Sequence, residues 1–149
     1  MKVLMVCLGN ICRSPLAEGI LQYKINNLSL DWEVDSAGTS SFHAGEKPDI
    51  RSIQVAKRNE IDISNQRSRP FRGWDFETFD WIYVMDSSNY SDVIAMAQSE
   101  KEKAKVKLIM NELEPGKNIA VPDPYYGEFG FENVFEMLDQ ACNKIVGIN

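Results

Sequence analysis

Lys2-Val3-Leu4-Met5-Val6-Cys7-Leu8-Gly9-Asn10-Ile11-Cys12-Arg13-Ser14-Pro15 is the stretch from which the rest of the chain can be read. Its apolar start, Lys2 to Val6, predicts a short, fully buried strand of the kind found in a parallel sheet covered on both faces. Ser14 is a favoured N-cap, and Pro15 then falls on the first helical position, where a missing N–H costs nothing; together they predict a helix opening at Ser14. The loop from Cys7 to Arg13 therefore joins the C-terminal end of a strand to the N-terminus of a helix. In an open α/β sheet that is where ligands bind, and the unpaired amides of a helix start favour an anion.

Working outward, Leu16, Ala17, Ile20, Leu21 and Leu28 predict an amphipathic helix to about Asn27. Trp32 to Ser36 reads as a second strand, and Ala37 to Ser41 as a turn-rich exit on the same edge as the first loop. Pro48-Asp49 opens a helix to about Arg58, with Ile50 and Ile53 at helical spacing. Ile61 to Ser64 is a loop or short extended piece, and Arg67 to Trp74 is irregular or a short helical turn. Phe79 to Met85 is the clearest strand after the first. Asp86-Ser87-Ser88 then caps a helix to about Ser99, and Glu100 to Lys105 is a solvated helix end or loop. Val106 to Met110 is the fourth strand. Two prolines keep Val121 to Gly127 out of regular structure. Phe131, Val134, Phe135, Leu138, Cys142 and Ile145 form the stripe of a last helix.

Strands alternating with helices predict an α/β fold: a four-stranded parallel sheet with helices on both faces, a Rossmann-like, flavodoxin-like three-layer sandwich with the first strand central. The chain has 149 residues, 44% of them apolar, which predicts a single domain over 1–149. A net charge of −6 argues against nucleic acid as a partner, because binding a phosphate backbone needs clustered Lys and Arg. No export signal or membrane-length apolar run is present, and an odd count of three cysteines fits free thiols, so a cytoplasmic protein is expected. Exposed aromatics around Trp74, Phe76 and Tyr126 are consistent with a monomer or weak dimer.

A cysteine, five residues and an arginine on a strand-loop-helix turn suit phosphate-monoester chemistry through a thiol. The loop must curl so that successive N–H groups face inward as an anion nest. Gly9 and Asn10 tolerate the left-handed backbone this requires. Arg13 closes the cradle with a bidentate fork that Lys cannot match. Amide dipoles, a helix start and a guanidinium favour the thiolate of Cys7, and the Ser14 hydroxyl can donate to that sulfur. Cys7 and Cys12 are wrongly spaced for a zinc knuckle and no His cluster completes a site, so neither metal nor cofactor is expected. Cys142 reads as core, His43 as a solvated loop residue, and Asp86 as a helix cap or a support for the site.

Cys7-Leu8-Gly9-Asn10-Ile11-Cys12-Arg13-Ser14-Pro15 and Asp123-Pro124-Tyr125-Tyr126-Gly127 resemble the phosphate loop and the acid loop of the low-molecular-weight protein tyrosine phosphatases. The similarity extends to Asp35 to Ser40 and Met85 to Asn89, and so spans essentially the whole chain. The resemblance implies a protein tyrosine phosphatase that hydrolyses phosphotyrosine proteins or small aryl phosphates through a phosphocysteine and is inhibited by phosphate-like oxyanions. By that resemblance Cys7 is the nucleophile, and Leu8, Gly9, Asn10, Ile11, Cys12, Arg13 and Ser14 bind phosphate. Asp123 is the general acid and then the base; Phe42, Tyr125 and Tyr126 form the substrate rim. Cys12 is the loop's second thiol, able to trap an oxidised Cys7 as a reversible disulfide. The family's animal members often carry histidines in the stretch matching Asn59 to Asn65; here there are none.

Three other functions share parts of this pattern. An arsenate reductase of this fold needs two further cysteines after the third strand, and Asp86 to Lys105 contains none. A related protein-arginine phosphatase carries Thr where this chain has Ile11. A non-catalytic phosphotyrosine-binding module would keep Arg13 and lose Cys7 or Asp123; both are present.

Overall fold

The computed structural model describes residues 1–125 and 130–148. Its four strands are β1 (Lys2–Cys7), β2 (Glu33–Gly38), β3 (Trp81–Val84) and β4 (Val106–Leu108). They form one all-parallel sheet in the order β2-β1-β3-β4. The first strand thus has a neighbour on each side, as expected, and the order reverses between β1 and β3. That reversal opens a crevice beyond the strands' C-terminal ends, the usual ligand position in such sheets.

Side chains alternate along β1, so it feeds two cores. Val3, Met5 and Cys7 face one layer, packed with Leu16, Ile20 and Leu21 of α1 (Arg13–Asn27) and Val134, Leu138 and Cys142 of α6 (Gly130–Ile145). Leu4 and Val6 face the other layer, with Phe71, Phe79, Phe76 of α3 (Asp75–Thr78) and Val93 of α4 (Ser87–Met96). Helix α2 (Ile50–Arg58) packs with α1 and α6 on the first side. A short α5 (Glu100–Lys103), capped by Ser99, precedes β4, and a 3₁₀ turn, Ile109–Glu112, follows it. Among the described residues no helix is long and apolar enough to cross a membrane.

Several local expectations are corrected. The first helix begins at Arg13 with Cys12 in the cap position, not at Ser14, because the Ser14 side chain turns inward instead of capping. Leu28 is the exposed residue that ends this helix and is not part of its buried stripe. In α2 the buried face is Ser52, Val55 and Ala56, leaving Ile50 exposed. Phe76 is buried edge-on against Phe71 at 5.2 Å, so of the aromatics expected at the surface, Trp74 is exposed and Phe76 is core. Tyr126 lies outside the described residues.

Candidate active site

The end of β1 delivers Cys7 to the mouth of the crevice, 2% exposed, and register pairs it with Gly38 of β2. From there on, five carbonyls of the loop accept from neighbouring segments. Thr39 N–H donates to the Cys7 oxygen at 2.9 Å and Ser40 N–H to that of Leu8 at 2.9 Å. Ser68 Oγ donates to Gly9, Asp49 N–H to Ile11, and Ser52 Oγ to Cys12. With the oxygens so occupied, the amides of Gly9, Asn10, Ile11 and Cys12 have no protein acceptor among the described residues. The first-turn amides of α1 continue the row, giving a concave set of donors suited to an oxyanion.

Asn10 makes this curl possible. Its φ is 55°, the left-handed region that Asn tolerates, and its side chain is 2% exposed. Its Nδ2 donates to Ser14 Oγ at 2.7 Å and to Ser36 Oγ at 2.9 Å, while its Oδ1 accepts from Arg69 N–H at 3.0 Å. Gly9 does not share the left-handed conformation expected of it. Its lack of a side chain serves a close approach instead: a Cβ there would stand 3.0 Å from His43 Cδ2.

Ser14 Oγ already accepts from Asn10, so its own proton is available to Cys7 Sγ, 3.0 Å away, in preference to the Ala37 carbonyl at 3.5 Å. The chain continues through Ser36, whose hydroxyl donates to Glu18 Oε1 at 2.6 Å. Burial pushes the Glu18 carboxyl up to about 7.

Arg13 is 6% exposed and donates through Nη1 to Asp86 Oδ2 at 2.7 Å and to the Val121 carbonyl at 3.0 Å. Asp86 fulfils both roles read from its position, because its other oxygen accepts the Asn89 N–H that opens α4, at 2.8 Å. Val121 begins the segment that carries Asp123, so one guanidinium is tied both to the N-cap of α4 and to that segment. Asp123 Oδ1 accepts from Tyr125 N–H at 3.0 Å.

One cavity of about 510 Å³ collects the predicted residues. Cys7, Cys12 and Arg13 line its base with Leu8, Gly9 and Ile11; Phe42, Tyr125 and Asp123 line its walls, joined by Ser40 and His43. Asn10 and Ser14 stand behind the loop rather than in the cavity, as supports. His43, expected to be a solvated loop residue, lines the cavity, pairs with Glu46 at 2.8 Å and meets Phe42 edge-on at 4.9 Å. The three cysteines are free, and Cys142 is fully buried on α6 as expected. Burial, with Asp49 next in weight, pushes the Cys12 thiol up to about 12, so it stands protonated beside Cys7. Ser36, Ser68, Arg69 and Glu18 were not singled out from the sequence. Ser36 reaches the loop through the pairing of β1 with β2, Ser68 and Arg69 beside the bridge between Gly38 and Pro70, and Glu18 from α1 through its bond to Ser36.

A model of the low molecular weight phosphotyrosine protein phosphatase family matches residues 2–147. The chain is 41% identical to the human low molecular weight phosphotyrosine protein phosphatase over 149 residues, covering 97% of this chain and 93% of the relative. A solved protein tyrosine phosphatase from Entamoeba histolytica is similar at TM-score 0.91 and 40% identity, covering 98% of this chain and 94% of that one. A solved Drosophila arginine phosphatase is similar at TM-score 0.90 and 34% identity, covering 98% of this chain and 96% of that one.

Proposed function

The chain belongs to the low molecular weight phosphotyrosine protein phosphatase family, and from that premise we propose how its own residues carry the hydrolysis. The thiolate of Cys7 attacks phosphorus in line, forming the S–P bond as the bond to the aryl oxygen breaks. The row of loop amides and the Arg13 fork hold the three equatorial oxygens. Asp123 gives its proton to the departing phenolate; its carboxylate then takes a proton from the water that attacks phosphocysteine, releasing phosphate and the thiolate. Proton transfer of this kind typically contributes about 10²–10⁴-fold.

The observation that carries this reading is the single cavity in which Cys7 and Arg13 at the base meet Asp123 in the wall. Phe42 and Tyr125 give the cavity an aromatic rim, which suits an aryl phosphate and a phenyl ring reaching a deep thiol. Cys12, held as a thiol, does not compete for phosphorus but can form a disulfide with a Cys7 sulfenic acid, expelling water. The free cysteines fit a reducing, cytoplasmic setting.

The test is metal-free hydrolysis of para-nitrophenyl phosphate, inhibited by vanadate and abolished in Cys7→Ser; turnover equal to that of the Cys7→Ser control sinks the reading. Asp123→Ala lowers the rate for phosphotyrosine far more than for an activated ester whose leaving group needs no proton. Peroxide-treated Cys12→Ser recovers less activity with dithiothreitol than the parent. The second reading, phosphoarginine as substrate, has the Drosophila structure in its favour. Ile11 in the cavity lining favours the phenyl ring, and Ile11→Thr is expected to raise phosphoarginine turnover relative to phosphotyrosine.

A further inference from the structure

Asp123 and Tyr125 are exposed, and beside the Arg13 bond to the Val121 carbonyl a second set of contacts ties their segment to the phosphate loop through one side chain outside the motifs. Asp49 caps α2 and donates its N–H to the Ile11 carbonyl at 2.8 Å, which anchors it to the phosphate loop. Its carboxylate grips Arg51 with both oxygens, Oδ1 to Nε at 3.0 Å and Oδ2 to Nη2 at 2.9 Å. The same Oδ1 also accepts the Arg51 N–H at 2.8 Å. A fork held in this way has a fixed plane.

Two rings lie against that fixed guanidinium. The Arg51 Cζ is 4.6 Å from the centroid of Tyr125, two residues after Asp123, and 4.7 Å from that of Phe131 in the first turn of α6. Phe131 is buried and cannot follow a shifting loop, so it braces the stack. Tyr125 in turn donates its N–H to the Asp123 carboxyl. The backbone on this side is also tight: a Cβ on Gly130 would meet the Pro124 carbonyl oxygen at 2.5 Å. A continuous set of contacts thus runs from the Ile11 carbonyl through Asp49, Arg51 and Tyr125 to the acid.

We propose that Arg51 is a positioning residue for proton transfer: clamped by Asp49 to the phosphate loop and stacked on Tyr125 and Phe131, it sets the reach of the Asp123 carboxyl to the leaving oxygen. This role for Arg51 rests on the proposed role of Asp123 as the acid. Arg51 does not line the cavity. It acts through Tyr125, and a misplacement of about 1 Å in a catalytic group can cost about 10²-fold in rate.

The experiment is a leaving-group series of aryl phosphates, with kcat/KM plotted against the pKa of the phenol for the full chain. Arg51→Ala is expected to lower kcat/KM for phenyl phosphate about 10-fold, a part of the whole proton-transfer contribution, while 2,4-dinitrophenyl phosphate loses less than about 3-fold. The plot therefore steepens. Arg51→Lys, which keeps the charge but loses the fork and the flat stack, falls between. In the Asp123→Ala background, Arg51→Ala costs phenyl phosphate nothing further. An even loss across the series, or the same loss with and without Asp123, overturns the assignment by reducing Arg51 to a structural role; no loss in an Arg51→Ala protein with parental melting also overturns it. Should Arg51→Ala fail to fold, Arg51→Lys carries the same comparison. If the parent hydrolyses no aryl phosphate without metal, the functional reading fails; if it does and Asp123→Ala steepens the plot while the Arg51 variants do not, only the present inference fails.

Discussion

Asp86 is the position where one substitution separates two contributions that share a side chain. Its Oδ1 caps α4 and its Oδ2 faces an Arg13 that is 6% exposed. Removing a cap costs about 1 kcal/mol. Leaving a buried arginine without its counter-charge costs about 3–5 kcal/mol. The Asp86 side chain retains 24% exposure and the Val121 carbonyl still accepts from the same Nη1, so about 3 kcal/mol is the expected loss from the ion pair. Asp86→Ala then loses about 4 kcal/mol in urea unfolding and Asp86→Asn, which can keep the cap, about 3 kcal/mol. Inorganic phosphate adds the decisive comparison. An oxyanion in the loop returns negative charge to Arg13, so saturating phosphate should narrow the gap between variant and parent, beyond the mass-action gain common to both. A loss in Asp86→Asn of less than about 1 kcal/mol, the value of a cap alone, or a gap widened by phosphate, would refute the ion-pair contribution.

Asn10→Gly keeps the left-handed φ of 55° but loses the bonds to Ser14, Ser36 and Arg69, whereas Asn10→Ala loses the bonds and adds backbone strain. Alanine is expected to be the less stable by about 1 kcal/mol, read as a lower thermal midpoint. Glu18 supplies a pH test. Burial raises it from an ordinary 4.5 to about 7, so across that window the folded protein holds a proton the unfolded chain has lost, and stability falls as pH rises, levelling off above it. Glu18→Gln removes this slope, gaining about 1–2 kcal/mol on the parent between pH 5 and pH 8 after allowance for partial exposure; parallel curves refute it.

What the sequence makes legible here is contiguous. Lys2 to Val6 shows β1 because a buried parallel strand needs an unbroken apolar run, and the loop after it is legible because Cys7, Asn10 and Arg13 sit in one short contiguous stretch. Asp86 was legible as a cap, and its second oxygen explains why it is also a support. What stayed hidden is what topology assembles. Ser36 reaches Asn10 through the pairing of β1 with β2, Ser68 and Arg69 through a bridge to Gly38, and Arg51 through a stack on residues much later in the chain. Ser14 misled as a cap because its hydroxyl is spent on sulfur. Phe76 misled because a four-residue helix is too short to display a periodic face.

The alternation along β1 also has a bearing on how this chain can change. Val3, Met5 and Cys7 share one layer while Leu4 and Val6 share the other, so the sulfur's address is a matter of odd and even. Inserting or deleting one residue in the strand would send the Cys7 thiol to the phenylalanine layer, away from the Ser14 hydroxyl and the start of α1. A change of two would restore the side but shift the depth by about 7 Å. Length variation at this end of the molecule is therefore forbidden by arithmetic as much as by packing, whereas the surface turns on the opposite edge can grow or shrink without the thiol changing sides.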